Sequence, residues 1–187
     1  FITLGPGSNG ILQNIIKIVL KAGDNLVTPF YTFNQAEYAA TSLGCITRRA
    51  KCQNYEIDFD ALNNSIDDNT KIVYICNPNN PTGIYIETKK IIKFAKRTKA
   101  IVIVDESGIE FTNKQSILEH ETIPSNIIVL RSFSKAYGLA NMRIGYMCSS
   151  KKFKKFYEEN TTINEYSELS VIFAKTMIEN YDIEKKN

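Results

Sequence analysis

Apolar positions along this chain repeat with two periods. At Ile11, Leu12, Ile15, Ile16, Val19 and Leu20 they recur every three to four residues, which predicts an amphipathic helix over 11–20 that Gly23 stops. Before it, residues 2–4 read as a short strand entering the turn Gly5-Pro6-Gly7-Ser8-Asn9-Gly10. A strand over 25–28 leads through Pro29-Phe30-Tyr31 to a helix over 33–43 with Gly44 as its breaker, and 45–48 returns to extended structure. Residues 58–66 suit a short helix. The run 71–76 is β-branched and almost wholly apolar, as a strand buried on both faces must be. It empties into Asn77-Pro78-Asn79-Asn80-Pro81-Thr82-Gly83, whose prolines exclude both helix and central strand. A helix over 87–99 follows, then strands over 100–104, 127–130 and 143–148, the first of them ending at Asp105. Helices over 151–160 and 165–181 complete the pattern.

Nearly all-apolar strands alternating with helices imply an α/β fold, a three-layer α/β/α sandwich whose mostly parallel sheet is covered on both sides. In such sheets ligands collect beyond the carboxyl ends of the strands. No internal repeat, low-complexity tract or linker divides residues 1–187, so a single domain is expected.

Charge and composition narrow the possible partners. A net charge of +3 is too small to imply a polyanion. Lys89, Lys90, Lys93, Lys96, Arg97 and Lys99 alternate with Ile91, Ile92, Phe94 and Ala95, the pattern of a solvated helix face and not of a nucleic-acid surface. No run of about twenty apolar residues could span a membrane, and the opening Phe1-Ile2-Thr3-Leu4 carries no secretory signal. Cys45, Cys52, Cys76 and Cys148 form no CxxC pair, and His120 has no evident partner, so no metal site is expected. Cys76 and Cys148 read as small core hydrophobes, and reduced thiols suit the cytoplasm.

The chemistry centres on Arg131-Ser132-Phe133-Ser134-Lys135-Ala136-Tyr137-Gly138, just past the apolar run Ile127-Ile128-Val129-Leu130. A lysine at the end of a buried strand can be shielded from water, which lowers its pKa and makes it a nucleophile toward an aldehyde. Ser132 and Ser134 add hydroxyls, Gly138 permits close backbone approach, and Arg143 offers a forked cation suited to a phosphate. An aldehyde cofactor bearing a phosphate would use all of them. Asp105, at the mouth of another buried strand, needs a cationic or proton-donating partner. Gly7-Ser8-Asn9, ahead of a helix, offers backbone N–H groups to an anion. Taken singly, Lys135 also suits the surface, Asp105 a helix cap or ion pair, Ser8 and Asn9 an ordinary helix start, Tyr31 the core and Asn80 a turn.

With these motifs in this order, the chain resembles the fold-type I pyridoxal-phosphate (PLP) enzymes. Within them it is most similar to the class I/II aminotransferases of the histidinol-phosphate aminotransferase kind. The resemblance implies the PLP-binding large domain of such a transferase over 1–187, with Lys135 and Asp105 catalytic and the cofactor held as a Schiff base on Lys135. It further implies that Asp105 pairs with the pyridine nitrogen, Asn80 donates to the phenolic oxygen and Tyr31 stacks on the ring. Ser8, Asn9, Ser132, Ser134 and Arg143 would surround the phosphate. The expected reaction passes an amino group from an amino donor to a 2-oxo acid, in a cytoplasmic homodimer.

Two positions depart from the family pattern. Gly108, in Asp105-Glu106-Ser107-Gly108-Ile109-Glu110-Phe111, stands where a tyrosine usually shares the phenolic-oxygen contact, and the turn Gly7-Ser8-Asn9-Gly10 has a glycine where a polar or acidic residue is more usual. Family members also begin with an N-terminal segment and continue into a small C-terminal domain with a substrate-binding arginine. Neither is found here, so a large-domain fragment with exposed apolar area and a tendency to self-associate is expected. A PLP-dependent decarboxylase of the threonine-phosphate type is the alternative within the enzymes. A non-catalytic ligand-sensing module of a regulator is the alternative outside them. A dinucleotide-binding fold is disfavoured because no GxGxxG follows a strand.

Overall fold

The computed structural model describes residues 1–162 and 165–180. Strand β1 (Ile2–Gly5) is followed by α1 (Gly7–Val19), β2 (Asn25–Pro29), α2 (Gln35–Ser42) and β3 (Ile46–Ala50). A small hairpin, β4 (Cys52–Gln53) and β5 (Glu56–Ile57), precedes α3 (Phe59–Asn64) and β6 (Thr70–Cys76). Then come α4 (Thr88–Ala95), β7 (Ile101–Asp105), β8 (Ile127–Ser132), β9 (Gly145–Cys148), α5 (Lys151–Asn160) and α6 (Glu168–Asn180).

Seven strands form one sheet in the order β1-β9-β8-β7-β6-β2-β3. Strands β3, β2, β6, β7 and β8 pair in parallel, while β9 runs antiparallel to both β8 and β1. The three-layer α/β/α expectation is met, and alternation along the strands explains it. Ile72, Tyr74, Ile103 and Leu130 pack under α1 with Ile11, Leu12, Ile15 and Ile16, whereas Val73, Ile75, Val102, Val104 and Val129 pack on the opposite face with Ile91 and Phe94 of α4. On α4, Lys89, Lys90 and Lys93 are exposed while Ile91, Ile92, Phe94 and Ala95 are buried, the solvated face its periodicity implied.

Several boundaries differ from the sequence pattern. Helix α1 starts at Gly7, not at 11, so the presumed turn Gly7-Ser8-Asn9-Gly10 is its first turn. The last sheet strand starts at Gly145, because Arg143 takes a left-handed conformation (φ 48°, ψ 47°) that no strand continues through. Helix α4 ends at Ala95, four residues short of the expected end at 99, and α6 starts at Glu168. Tyr181, the expected last helical residue, lies outside the described residues. The β4–β5 hairpin was not anticipated: its turn, Asn54 (φ 49°) and Tyr55 (φ 66°), needs two left-handed residues but lacks the glycine that usually signals one. Residues Leu169, Ile172, Phe173 and Ile178 of α6 are exposed, as are Phe1 and Ile2.

Candidate active site

Register brings the carboxyl ends of β6, β7 and β8 level. Cys76 pairs with Asp105, and Asp105 with Leu130. Asp105 is 5% exposed, yet no lysine or arginine forms an ion pair with it among the described residues. Neither a cap nor a salt bridge accounts for it. Its Oδ2 accepts from the Tyr74 hydroxyl at 2.9 Å, and its Oδ1 accepts the Ser107 backbone N–H at 3.0 Å and the Ser107 hydroxyl at 2.5 Å.

Cys76 pairs in register with Asp105 and feels the charge of Lys135 as well. Its thiol donates to the Pro78 carbonyl at 3.3 Å and accepts the Asn80 backbone N–H. Burial, and then the negative charge of Asp105, push the thiol up to about 12, against smaller pulls from the Asn80 N–H and the positive charge of Lys135. Cys76 therefore reports both charges at once. It belongs to the site's lining as well as to the core assigned from sequence. Burial, with Asp105 second, also drives the Tyr74 phenol well above its ordinary value. Lys135 follows β8 and is exposed, which differs from the water-shielded amine expected at a strand end. Strand β8 stops at Ser132, and the chain turns out through a bend in which the Ser132 hydroxyl accepts the Ser134 N–H at 3.1 Å.

The other end of the site is cationic. Helix α1 begins at Gly7 without a side-chain cap and without an acidic residue in its first turn, so its N–H groups and positive dipole end stay uncompensated. A Cβ built on Gly7 would meet Arg143 Nη2 at 2.9 Å, and one on Gly145 would meet Ser8 N at 2.6 Å. Arg143 donates only to the carbonyls of Ala140 (3.2 Å) and Pro6 (3.4 Å), and is left without a carboxylate partner among the described residues. Asn9 Oδ1 is buried without a partner among the described residues, so that amide is uncommitted whichever way it faces. Ser132 pairs in register with Gly145, next to Ser8. A guanidinium with no acid beside it and an uncapped helix start, with Ser8 and Ser132 next to Gly145, make an anion cradle. The Ser8 and Ser107 hydroxyls, 2.8 Å apart, connect that cradle to Asp105.

Tyr31 and Asn80 flank this edge from the β2 and β6 loops. Tyr31 is exposed and packs edge-on to Phe30, and its carbonyl accepts the Asn79 side-chain amide at 2.8 Å. Asn79 Oδ1 accepts the Thr32 hydroxyl, and its Nδ2 also reaches the Thr82 hydroxyl, each at 2.8 Å. Asn79 thus ties the Tyr31 loop to the Asn80-Pro81 turn, while Asn80 itself is exposed. At Gly108 an added Cβ would find nothing within 4 Å, so the position usually held by a tyrosine opens on free space.

Under Asp105, Glu106 is fully buried and accepts from the Ile117 N–H at 2.7 Å and the Ser116 hydroxyl at 2.5 Å, which pins the loop between β7 and β8. Arg131 approaches it at 3.7 Å and binds Glu110 at 3.1 Å. Burial raises the Glu106 carboxyl above its ordinary value, and these donors only partly oppose it. His120, expected to be solitary, lies 2.7 Å from the Thr88 hydroxyl.

Tyr74, Ser107 and Asn79 were not singled out by sequence. A hydroxyl in the otherwise apolar run Ile72-Val73-Tyr74-Ile75 was the available signal, since a fully buried phenol must find a partner.

An α/β sheet with a buried acid and an anion cradle at its carboxyl edge defines a class of small-molecule-binding domains. The family model for aminotransferase class I and II matches residues 1–187, and this chain belongs to that family. It is 42% identical to histidinol-phosphate aminotransferase 2 of Bacillus thuringiensis subsp. konkukian over 149 residues, which cover 76% of this chain and 40% of that protein. It is 33% identical to the histidinol-phosphate aminotransferase of Methanococcus aeolicus over 187 residues, covering 98% of this chain and 50% of that one. The structure superimposes on that of the Sinorhizobium meliloti histidinol-phosphate aminotransferase in complex with pyridoxal-5'-phosphate with a TM-score of 0.91 and 25% identity, covering 98% of this chain and 52% of the other. The chain thus spans about half the length of the relatives it matches or less.

Proposed function

We propose that this protein is a PLP-dependent aminotransferase that moves an amino group between an amino acid, or an amine resembling one, and a 2-oxo acid. The observation that carries this reading is the linkage along one sheet edge. Cys76 feels both Lys135 and Asp105, and the Ser107 and Ser8 hydroxyls run from Asp105 to the cradle of α1 and Arg143. The donor set fits the group: a phosphate suits an uncapped helix start beside an unpaired guanidinium, and a ring nitrogen suits a buried acid with no cation on it.

When bound, PLP supplies an aldehyde that condenses with amines and a ring that draws electrons from the neighbouring carbon. Ser8, Asn9, Ser132, Ser134 and Arg143 would hold its phosphate, Tyr31 would cover its ring and Asn80 would donate to its phenolic oxygen. Asp105 would place negative charge at the ring nitrogen. Lys135 Nζ would be the anchoring amine and, when freed, would take a proton from the substrate's α-carbon and return it to the carbon on the other side of the amine nitrogen. Exposure of Lys135 suits an amine that must exchange with an incoming one.

The same reading makes residues 1–187 the PLP-binding large domain of a longer homodimeric enzyme, which the half-length match to relatives supports. Cytoplasmic location is part of it. Four free cysteines suit a reducing compartment, and no helix among the described residues is long and apolar enough to cross a membrane.

The test is to add PLP and record the visible spectrum of the protein and of Lys135→Ala, then to supply histidinol phosphate, the amine its relatives' names suggest, with 2-oxoglutarate. A visible band that requires Lys135, and glutamate formation that requires both substrates, are expected. Identical spectra for the two proteins would overturn the cofactor assignment, and carbon dioxide release without an oxo-acid requirement would replace the transaminase with a decarboxylase.

A further inference from the structure

We propose that Tyr74 and Ser107 are positioning residues that fix Asp105 so that a single carboxylate oxygen, Oδ2, is offered to a ligand's ring nitrogen. This rests on the function proposed above and goes beyond it in saying what aims the acid. Tyr74 lies two residues before Cys76 on β6, hence on the same face as Asp105 and one pleat deeper, and it is 0% exposed. Its neighbours Ile72, Val73 and Ile75 are all aliphatic, and a phenylalanine would fill the same space without burying a hydroxyl. That hydroxyl donates to Asp105 Oδ2 at 2.9 Å and also meets the Cys76 thiol on the same strand.

Ser107 works on the other oxygen. Its N–H and its hydroxyl both meet Oδ1, at 3.0 Å and 2.5 Å. A carboxylate has about four acceptor directions, two on each oxygen. Ser107 takes both on Oδ1 and Tyr74 takes one on Oδ2, which leaves one, on Oδ2. With three donors from two elements, the plane of the carboxylate is set before a ligand arrives, and little freedom is left to lose on binding. The Ser107 hydroxyl also lies 2.8 Å from that of Ser8, so it is oriented from the cradle side as well.

The experiment compares Tyr74→Phe, Ser107→Ala and the parent for the dissociation constants of PLP and of its 1-deaza analogue, in which a C–H replaces the ring nitrogen. The pH at which the visible absorbance of the PLP-loaded protein titrates is recorded alongside. Each variant is expected to weaken PLP roughly tenfold, the scale of a hydrogen bond to a charged group, while its affinity for the deaza analogue stays within about twofold of the parent's. The absorbance titration should move in both variants, and Ser107→Thr, which keeps the hydroxyl, should restore the parent's values. Equal losses for the two cofactors would show a merely structural role and overturn the proposal, as would unchanged PLP affinity. Should Tyr74→Phe fail to fold, the Ser107→Ala and Ser107→Thr pair decides alone. A parent that shows no Lys135-dependent band overturns the proposed function itself, whereas a normal parent with indifferent variants overturns only the assignment of Tyr74 and Ser107.

Discussion

Gly145→Ala tests the geometry that holds α1 against the sheet. An added methyl would lie 2.6 Å from Ser8 N, 2.7 Å from Arg131 O and 2.8 Å from Gly7 C. All three are backbone atoms, so no side chain can rotate out of the way. Gly145 is also paired on both sides, with Gly5 of β1 and Ser132 of β8, which prevents β9 from sliding. Reaching ordinary contact distance therefore means lifting the start of α1 from the sheet by about 1 Å. Overpacking of a well-packed interior costs about 1–3 kcal/mol, and three rigid contacts put this case near the upper end, about 3 kcal/mol. In a chain of this size that corresponds to a fall in melting temperature of roughly 6–12 °C. Urea unfolding followed by circular dichroism measures it, with Gly108→Ala as the comparison. At Gly108 nothing lies within 4 Å and φ is −120°, open to any residue, so that change is expected to stay within about 0.5 kcal/mol of the parent. If Gly145→Ala were as harmless as Gly108→Ala, the close seating of Ser8 on β9, and with it the anion cradle, would be wrong.

Two further outcomes follow from the buried polar groups. Asn79→Ala removes the hydrogen bonds to the Tyr31 carbonyl and the Thr32 and Thr82 hydroxyls, at a cost of about 2 kcal/mol; amide exchange over 30–33 should speed up while that of 71–76 does not, and uniform acceleration would argue against a local tie. Glu106 holds its proton more tightly folded than unfolded, so its contribution to stability is complete below the ordinary value of 4.5 and is lost as pH rises through the folded value. Unfolding midpoints should therefore fall with pH from about 4.5 upward in the parent and fall less in Glu106→Gln; parallel curves would contradict the burial-driven shift.

The mostly parallel sheet and its covered faces were readable because β6, β7 and β8 are apolar at successive positions, the pattern of a doubly buried strand. The placement of Asp105 was readable for the same reason: a carboxylate ending Ile101-Val102-Ile103-Val104 marks the sheet's edge. The start of α1 was not readable, since glycines at 5, 7 and 10 look like turn residues until the sheet supplies the reason for them. Gly5 faces Ile11, Gly7 faces Arg143 and Gly10 faces Pro6, each too closely for a side chain. Tyr74 was missed because its role depends on pairing between strands about thirty residues apart, which local spacing does not encode; Ser107, only two residues from Asp105, was missed because a serine in a loop is an ordinary turn residue. The exposure of Lys135 was missed because the strand was expected to carry its shielding past Leu130, whereas the chain turns outward beyond Ser132.

The reversed strand explains how three distant segments meet. In a parallel sheet each strand returns by a crossover, so successive carboxyl-edge loops arrive independently. Strand β9 instead runs antiparallel to β8, so the loop between them leaves and re-enters the sheet at one edge. Lys135 and Arg143 are both held at that edge for this reason, although they lie at opposite ends of the loop. Because β9 is also antiparallel to β1, Gly5 comes to rest opposite Gly145, and the first turn of α1, carrying Ser8 and Asn9, lands beside Arg143. Arg143 reaches it only by adopting φ 48°, a conformation that costs a non-glycine residue about 1 kcal/mol. Had β9 been a seventh parallel strand, its start would lie at the opposite edge, and the guanidinium would be a strand's length away from Asp105. The antiparallel register of β9 is thus what converts a common α/β sheet into a site with a cation at one end and an acid at the other.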